Sequence, residues 1–157
     1  MAQHPLDSLS AEEFRQTAEI LRRDGRVTDG WRFTAIELKE PDKGVVKAWR
    51  PGQPVPRTSF AVLLDRTENK TYEATVDLTG DSVLSFEHIP GVQPNFTLDE
   101  FYEINEAMSK HPDVIAALAE RGFTDMSLVL IDTWTYAKAL MPEKYRDRRL
   151  GWSDLWV

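Results

Sequence analysis

The sequence predicts an α+β protein built from two successive small domains, each with a helix set against an antiparallel sheet. The same helix-start pattern occurs twice, at Ser10 and at Thr97, which is typical of a repeated unit. Between these two starts, apolar and polar residues alternate with a period of two, as they do in strands that bury one face. We therefore place the first domain at residues 1–90 and the second at residues 91–157.

The first helix is predicted by the residues that surround Ser10. Its hydroxyl can accept from the amide of Glu13 while the Glu13 carboxylate reaches back to the amide of Ser10, which makes a capping box. Leu9 and Phe14 stand where a hydrophobic staple would lie. Apolar residues continue at helical spacing, and Gly25 suits a left-handed helix end. The helix is expected over about residues 11–24.

The strands of the first domain follow from the alternation and from turn residues. Residues 71–78 alternate most clearly, residues 79–82 supply a turn, and residues 83–89 return as the hairpin partner. The predicted strands are Trp31–Leu38, Val45–Trp49, Ser59–Asp65, Thr71–Leu78 and Val83–Ile89. A helix followed by such a meander is expected to cover the apolar face of the sheet.

The second domain begins in the same way. Thr97 is the cap, Glu100 is its reciprocal partner, and Phe96 and Phe101 form the staple. Pro112 suits the first turn of a third helix. The strand candidates beyond it are Met126–Ile131, its extension Trp134–Leu140, and Leu150–Val157. The last candidate would end without a partner strand, so we expect this domain to be incomplete, truncated before its last strands.

Composition and charge narrow the function classes. Of the 157 residues, 41% are hydrophobic and 29% are charged, as in a folded globular protein. The net charge of -7 argues against a nucleic-acid partner, and the basic run at residues 146–149 is expected to be a solvated surface. The absence of cysteine excludes disulfides and thiolate sites. With no leader pattern and no apolar run of about 20 residues, we expect a soluble, cytoplasmic protein without a membrane partner.

Residues that could carry chemistry are few. The three histidines stand alone, without a ligand spacing such as His-x-His, so no metal site is predicted. We expect His88 on a strand face with Leu84 and Phe86, His111 at a helix cap, and His4 in a frayed terminus. The carboxylates of Asp99, Glu100 and Glu103 resemble an acid–base cluster, but acidic residues are also the expected complement of a helix N-terminus.

Five tryptophans remain to be explained: Trp31, Trp49, Trp134, Trp152 and Trp156. Tryptophans are usually core or interface anchors, because each buries a large area. Trp152 and Trp156 are expected to contact protein that this chain does not include. The free chain is then expected to self-associate through residues 152–157.

Four stretches together carry a resemblance to a known family. They are HPLDSLSAEEFRQTAEILRR, WRFTAIELKEP, TYEATVDLTGDSVLSFEHIPGVQP and DVIAALAERGFTDMSLVLIDTW. In order and spacing they resemble the N-terminal region of copper-containing primary amine oxidases, topaquinone enzymes of the tyramine and phenylethylamine oxidase type. The resemblance covers nearly the whole chain. It implies the second and third N-terminal domains of such an enzyme, each a cystatin-like fold of a helix and an antiparallel sheet.

The resemblance also implies a parent reaction and its cofactors. The family converts primary amines to aldehydes with release of ammonia and hydrogen peroxide, using copper held by three histidines and topaquinone made from a tyrosine. This chain has no Asn-Tyr pair and no His-x-His, so no copper ligand, quinone tyrosine or catalytic aspartate can be placed in it. The isolated chain is expected to be inactive and to bind no cofactor. Copper and topaquinone are implied only for the full-length parent.

Two residues are candidates for lining the route of the amine in the parent. In the family, the second of these domains packs beside the catalytic domain and helps line the substrate channel, which by resemblance suggests Phe101 and Trp134. The alternatives are packing of Phe101 against Phe96 and burial of Trp134 in a core. The implied partners are the catalytic domain, a second copy in a homodimer and a primary amine. The alternative function is a free-standing binding module. No motif in the sequence supports a third possibility, a small hydrolase or metal enzyme.

Overall fold

A computed structural model describes residues 4–157, apart from the side chain of Lys138. These residues form two compact units, one ending at Pro94 and one comprising Asn95–Val157. Each unit combines helices with an antiparallel sheet, so the predicted α+β class is confirmed. Within the described residues, no helix has both the length and the apolar character needed to cross a bilayer.

The first unit is a four-stranded antiparallel meander. Helix α1 spans Ala11–Arg23, and the shorter helix α2 spans Lys43–Ala48. The strands are β1 Trp31–Leu38, β2 Thr58–Asp65, β3 Lys70–Asp77 and β4 Ser82–Ile89. They are hydrogen-bonded in the order β1-β2-β3-β4, so each strand pairs with its neighbour in sequence, as the meander predicted.

The core of the first unit lies between α1 and one face of this sheet. It contains Ile20, Leu21, Val27, Ala61, Leu63, Ala74, Val76 and Leu78. Each fully buried leucine contributes about 1.5–3 kcal/mol relative to an exposed one. The hydroxyls of Thr17 and Ser59 lie 2.7 Å apart inside this core, so each satisfies the other. Gly25 ends α1 with a φ of 88°, the left-handed conformation that its position predicted.

A β-bulge changes the predicted alternation of β4. The register between β3 and β4 skips Leu84, which is 60% exposed. Phe86 and His88 lie opposite Ala74 and Tyr72, so they share the inner face of the sheet. The expectation that Leu84 shares this face is wrong, because the extra residue of a bulge shifts the alternation by one.

The predicted strand Val45–Trp49 is wrong, because these residues form α2 and its C-cap. The amide of Trp49 donates to the carbonyl of Val45 at 3.0 Å, which is the bond of a helical turn. A short apolar run with two adjacent valines fits a strand or a buried helix equally well. Since β1 and β2 pair directly with each other, the segment between them serves as their connection.

The second unit contains two helices and a two-stranded sheet. Helix α3 spans Leu98–Ser109 and helix α4 spans Pro112–Ala119. Strand β5 spans Leu130–Thr135 and pairs in antiparallel orientation with β6, Gly151–Trp156. Short 3-10 turns occupy Met126–Leu128, Lys138–Leu140 and Glu143–Tyr145.

Three strand predictions for this unit need correction. The prediction that Leu150–Val157 has no partner is wrong, because β6 pairs with β5 along its whole length. The strand predicted at Met126–Ile131 begins only at Leu130, since Asp125 accepts from the amide of Ser127 and holds a turn there. The predicted extension Trp134–Leu140 leaves the sheet after two residues and continues into a 3-10 turn.

Candidate functional site

A buried arginine–glutamate pair holds the start of α3. The amide of Thr97 donates to Glu100 Oε2 at 2.8 Å, as the predicted capping box requires. Arg149 donates through Nε to Glu100 Oε1 at 2.6 Å and through Nη2 to Oε2 at 2.8 Å. The same Nη2 donates to the carbonyl of Asn95 at 3.0 Å. The guanidinium therefore ties the segment before the helix to its first turn.

The environment of Glu100 keeps it ionised. Burial raises its pKa, but hydrogen bonds from Arg149 and from Thr97 together outweigh this, so the pKa of Glu100 lies below the ordinary 4.5. A carboxylate with a lowered pKa is a poor proton carrier near neutral pH. The acid–base interpretation of the cluster at residues 99–103 is therefore not supported by the environment of Glu100.

The first unit contains the same arrangement. Arg57 donates through Nε to Glu13 Oε1 at 2.7 Å, and Glu13 Oε2 accepts from the amide of Ser10 at 2.7 Å. Arg57 Nη2 donates to the carbonyl of Ser8 at 3.1 Å, two residues before the cap, as Asn95 stands two residues before Thr97. The hydrogen bond from Arg57 is the main cause that lowers the pKa of Glu13, against the opposing effect of burial. We call this repeated Arg–Glu arrangement the arginine clamp.

The sequence did not predict the two arginines of the clamps. The expectation of a solvated basic run at residues 146–149 is wrong for Arg149, whose side chain is only 15% exposed. The sequence signal that could have indicated these arginines is the glutamate of each capping box, because its second carboxylate oxygen needs a hydrogen-bond donor from elsewhere in the fold. Its arginine partner lies 44 residues away in the first unit and 49 in the second, so no local spacing reveals the pair.

Phe101 lies on the first turn of α3, next to the clamp glutamate. Its ring centroid is 6.0 Å from that of Phe96 in an edge-on arrangement, so the predicted staple is confirmed. The Arg149 guanidinium lies 4.6 Å from the centroid of the Phe96 ring. Phe101 is nevertheless 40% exposed, and part of its ring is free to meet another molecule.

Trp134 lies near the end of β5 and is 55% exposed, so burial in a core is wrong for this residue. Its cross-strand neighbour is Trp152. Phe96 links the surroundings of Phe101 and Trp134. A Cβ atom at Gly151 would come within 2.5 Å of Phe96 Cε2 and within 2.7 Å of the Trp134 carbonyl oxygen. Phe96 thus packs against Phe101 and on Gly151, beside the backbone of Trp134.

Neither of these residues lines the three cavities described for this unit. The first, of about 790 Å³, lies among α3, α4 and β6, and its apolar lining includes Met108, Val114, Leu118, Phe123 and Leu155. The second, of about 280 Å³, adjoins the arginine clamp. The third, of about 350 Å³, lies beside Tyr136 and Trp152. The structure therefore does not bring Phe101 and Trp134 into a shared cavity among these three.

The described residues do not fit a copper ion. Within residues 4–157, no three histidine, aspartate or glutamate side chains converge on one point. The His88 ring packs 5.2 Å from that of Tyr72, and the His4 ring packs 5.0 Å from that of Trp49. His111 caps α4, as predicted, by accepting from the amide of Asp113. Each histidine side chain therefore contacts another part of the fold: a ring for His4 and His88, and a helix start for His111.

Comparison with known proteins gives matches to both the sequence and the fold. Residues 10–86 match the family model for the AGAO-like N2 domain. The chain is 41% identical over 133 residues to a primary amine oxidase of Arthrobacter sp. (strain P1), and this match covers 84% of the chain and 20% of that protein. It is 35% identical over 130 residues to a primary amine oxidase of Klebsiella aerogenes, over 81% of the chain and 17% of that protein. The chain thus spans about a fifth of the length of these relatives.

A solved structure gives a match to the fold. The copper-containing benzylamine oxidase from Hansenula polymorpha superposes with a TM-score of 0.69 at 20% sequence identity. The match covers 84% of this chain and 22% of that protein. At this identity the likeness bears on the fold alone.

Proposed function

The chain belongs to the N-terminal region of the copper amine oxidase family, and on this premise we propose that it is a non-catalytic part of such an enzyme. The observation that carries the proposal is the 41% identity over 84% of the chain to a primary amine oxidase, a match that covers only 20% of that enzyme. The two predicted domains, residues 1–90 and 91–157, are then the second and third N-terminal domains of the parent. A cytoplasmic location and a cystatin-like fold stay predictions.

In the parent, the reaction would be the oxidative deamination of a primary amine to an aldehyde, with release of ammonia and hydrogen peroxide. Among the described residues no three side chains form a copper site, and copper and topaquinone would lie in other parts of the parent polypeptide. Residues 4–157 would contribute binding surface, and the parent would act as a homodimer.

The isolated chain is expected to show no amine turnover. The test is to incubate the purified 157-residue chain with Cu²⁺ and to assay hydrogen peroxide release with methylamine and phenylethylamine. A complete relative such as the Arthrobacter enzyme serves as the positive control. Copper-dependent turnover by the chain alone would overturn the non-catalytic assignment.

We further propose that Phe101 and Trp134 contact the amine on its way to the catalytic centre. Their support is their exposure, 40% for Phe101 and 55% for Trp134. The experiment is to introduce Phe101→Ala and Trp134→Ala into the complete oxidase and to compare kcat/KM for small and aromatic amines. Tyr102→Ala is the matched control, because Tyr102 is a neighbouring aromatic residue on α3 with 68% exposure. Unchanged amine preference together with lowered thermal stability would leave only a packing role.

We also propose that the sheet of the second unit is extended in the parent. The 790 Å³ cavity supports this, because apolar residues of α3 and α4 line it next to β6. A further strand paired with β6 would cover these residues and satisfy the backbone groups of that strand. Amide hydrogen exchange tests the idea, since the β6 amides that face away from β5 should exchange quickly in the chain and slowly in the complete oxidase.

A further inference from the structure

One face of the β5–β6 sheet is rich in exposed tryptophan. Side chains alternate between the two faces of a strand, and the inner face carries Ile131 and Thr133, which are 8% and 5% exposed. The outer face, which we call the tryptophan face, is formed by Leu130, Asp132, Trp134, Trp152, Asp154 and Trp156. The three tryptophans are 55%, 55% and 58% exposed and Leu130 is 62% exposed. Such a concentration of large apolar side chains marks an interaction surface.

The register of the two strands sets the chemistry of this face. Trp134 pairs with Trp152 at one end, Leu130 pairs with Trp156 at the other, and Asp132 lies directly opposite Asp154 between them. Like charges directly opposite each other in a sheet repel. Among the described side chains, neither of these carboxylates has an ion-pair partner within 4.0 Å. The face therefore presents two facing carboxylates, without a described ion-pair partner within 4.0 Å, between large apolar side chains.

An arginine is the side chain that best matches this arrangement. Its planar guanidinium has five donors, so it can bind carboxylates on both strands, and it also stacks on aromatic rings. A cation within about 6 Å of an indole ring gains further attraction, most of all where water is excluded. A second copy of the chain fits poorly, because two tryptophan faces placed together would bring four carboxylates into one interface.

We propose that the tryptophan face docks a surface of the parent oxidase that presents arginine among apolar side chains. The inference rests on the proposed function, in which the chain is about a fifth of a longer enzyme. The apolar side chains of the partner cover Leu130, Trp152 and Trp156, while the guanidinium neutralises Asp132 and Asp154. The charge pair sets the register of docking, and the tryptophans supply most of the buried area.

The test uses the 157-residue chain and the separately expressed remainder of the parent oxidase, with binding measured by isothermal titration calorimetry at two salt concentrations. Two double variants probe the face, Asp132→Asn with Asp154→Asn, and Trp152→Ala with Trp156→Ala. Matched controls are Glu120→Gln, an exposed carboxylate at the C-cap of α4, and Tyr102→Ala, an exposed aromatic residue on α3. We expect each double variant to raise Kd at least tenfold and each control to change it less than twofold. The aspartate variant should also weaken the salt dependence of Kd.

Results other than those expected would contradict the proposed function, the docking face, the arginine pairing or the identity of the partner. If the remainder unfolds cooperatively in a thermal melt and the wild-type chain still does not bind it, the proposed function fails. If it binds and neither double variant weakens binding, the docking face is wrong while the proposed function stands. Weakening by the tryptophan variant alone overturns the arginine pairing. A dimer of the free chain in sedimentation that the tryptophan variant abolishes would assign the face to a second copy. Thermal melts within about 5 °C of wild type establish that the variants are folded.

Discussion

Replacing Arg57 with methionine should destabilise the first unit strongly, because this arginine closes the clamp at the start of α1. The guanidinium donates to both oxygens of Glu13, at 2.7 and 3.2 Å, and to the carbonyls of Asp7 and Ser8, at 2.8 and 3.1 Å. Methionine keeps much of the apolar stem but removes every donor. The Glu13 carboxylate then retains only local partners, chiefly the amide and hydroxyl of Ser10.

The expected loss follows from the burial of the pair. The side chains of Arg57 and Glu13 are 8% and 17% exposed. Removing one partner of a buried pair costs about 3–5 kcal/mol, because the remaining charge is left uncompensated. The retained contacts of Glu13 reduce this, so we expect a loss of about 2–4 kcal/mol in the free energy of unfolding. That is a large part of the roughly 5–15 kcal/mol that stabilises an ordinary domain.

Urea denaturation followed by far-UV circular dichroism measures this loss. The matched control is Arg15→Met, which breaks an exposed pair with Glu12 on the same helix, with side chains 67% and 82% exposed. That control should change the free energy of unfolding by about 0.5 kcal/mol or less. The double variant Arg57→Met with Glu13→Gln should recover part of the loss, because it no longer buries an unpaired charge.

Two results would refute the reasoning. If Arg57→Met loses no more stability than Arg15→Met, the arginine clamp does not stabilise the first unit more than an exposed ion pair does. If the double variant is no more stable than Arg57→Met alone, the loss does not come from an unpaired charge at Glu13 but from the packing that the arginine provides.

Two further predictions concern the rest of the chain. The pKa values of Glu13 and Glu100 in the folded state lie below 4.5, so the stabilisation that these carboxylates provide is present above pH 4.5 and is lost as the pH falls through the lowered pKa values. The urea midpoint, measured between pH 7 and pH 3, should therefore fall steeply below pH 4.5. The fall should be smaller in a variant with glutamine at both positions. A midpoint that stays constant to pH 3 would contradict this. Gly151→Ala should lower the stability of the second unit by about 1–3 kcal/mol, because the new Cβ would lie 2.5 Å from Phe96 and 2.7 Å from the Trp134 carbonyl oxygen. The matched control is Gly44→Ala in α2, where a Cβ meets nothing within 4 Å; this variant should be neutral or stabilising. Equal shifts in melting temperature for the two variants would show that the close contact with Phe96 does not destabilise an alanine at position 151.

The elements that the sequence predicted correctly are those whose causes are local. Both capping boxes form as expected, because a cap and the residue three positions later meet within one helical turn. The β3–β4 hairpin follows from its alternation and its turn. Val45–Trp49 was mispredicted because the same apolar run suits a strand or a helix, and only the direct pairing of β1 with β2 excludes it from the sheet.

The sequence by itself determined the α+β class, the repeated helix starts and the resemblance to amine oxidases, because periodicity, caps and ordered motifs are properties of neighbouring residues. Only the tertiary structure decided which arginine holds each clamp, since Arg57 and Arg149 reach their glutamates across 44 and 49 residues. It also decided that β6 pairs with β5 and that Asp132 faces Asp154 between exposed tryptophans. Cross-strand register joins residues that are distant in sequence, and it is set by the packing of the whole unit.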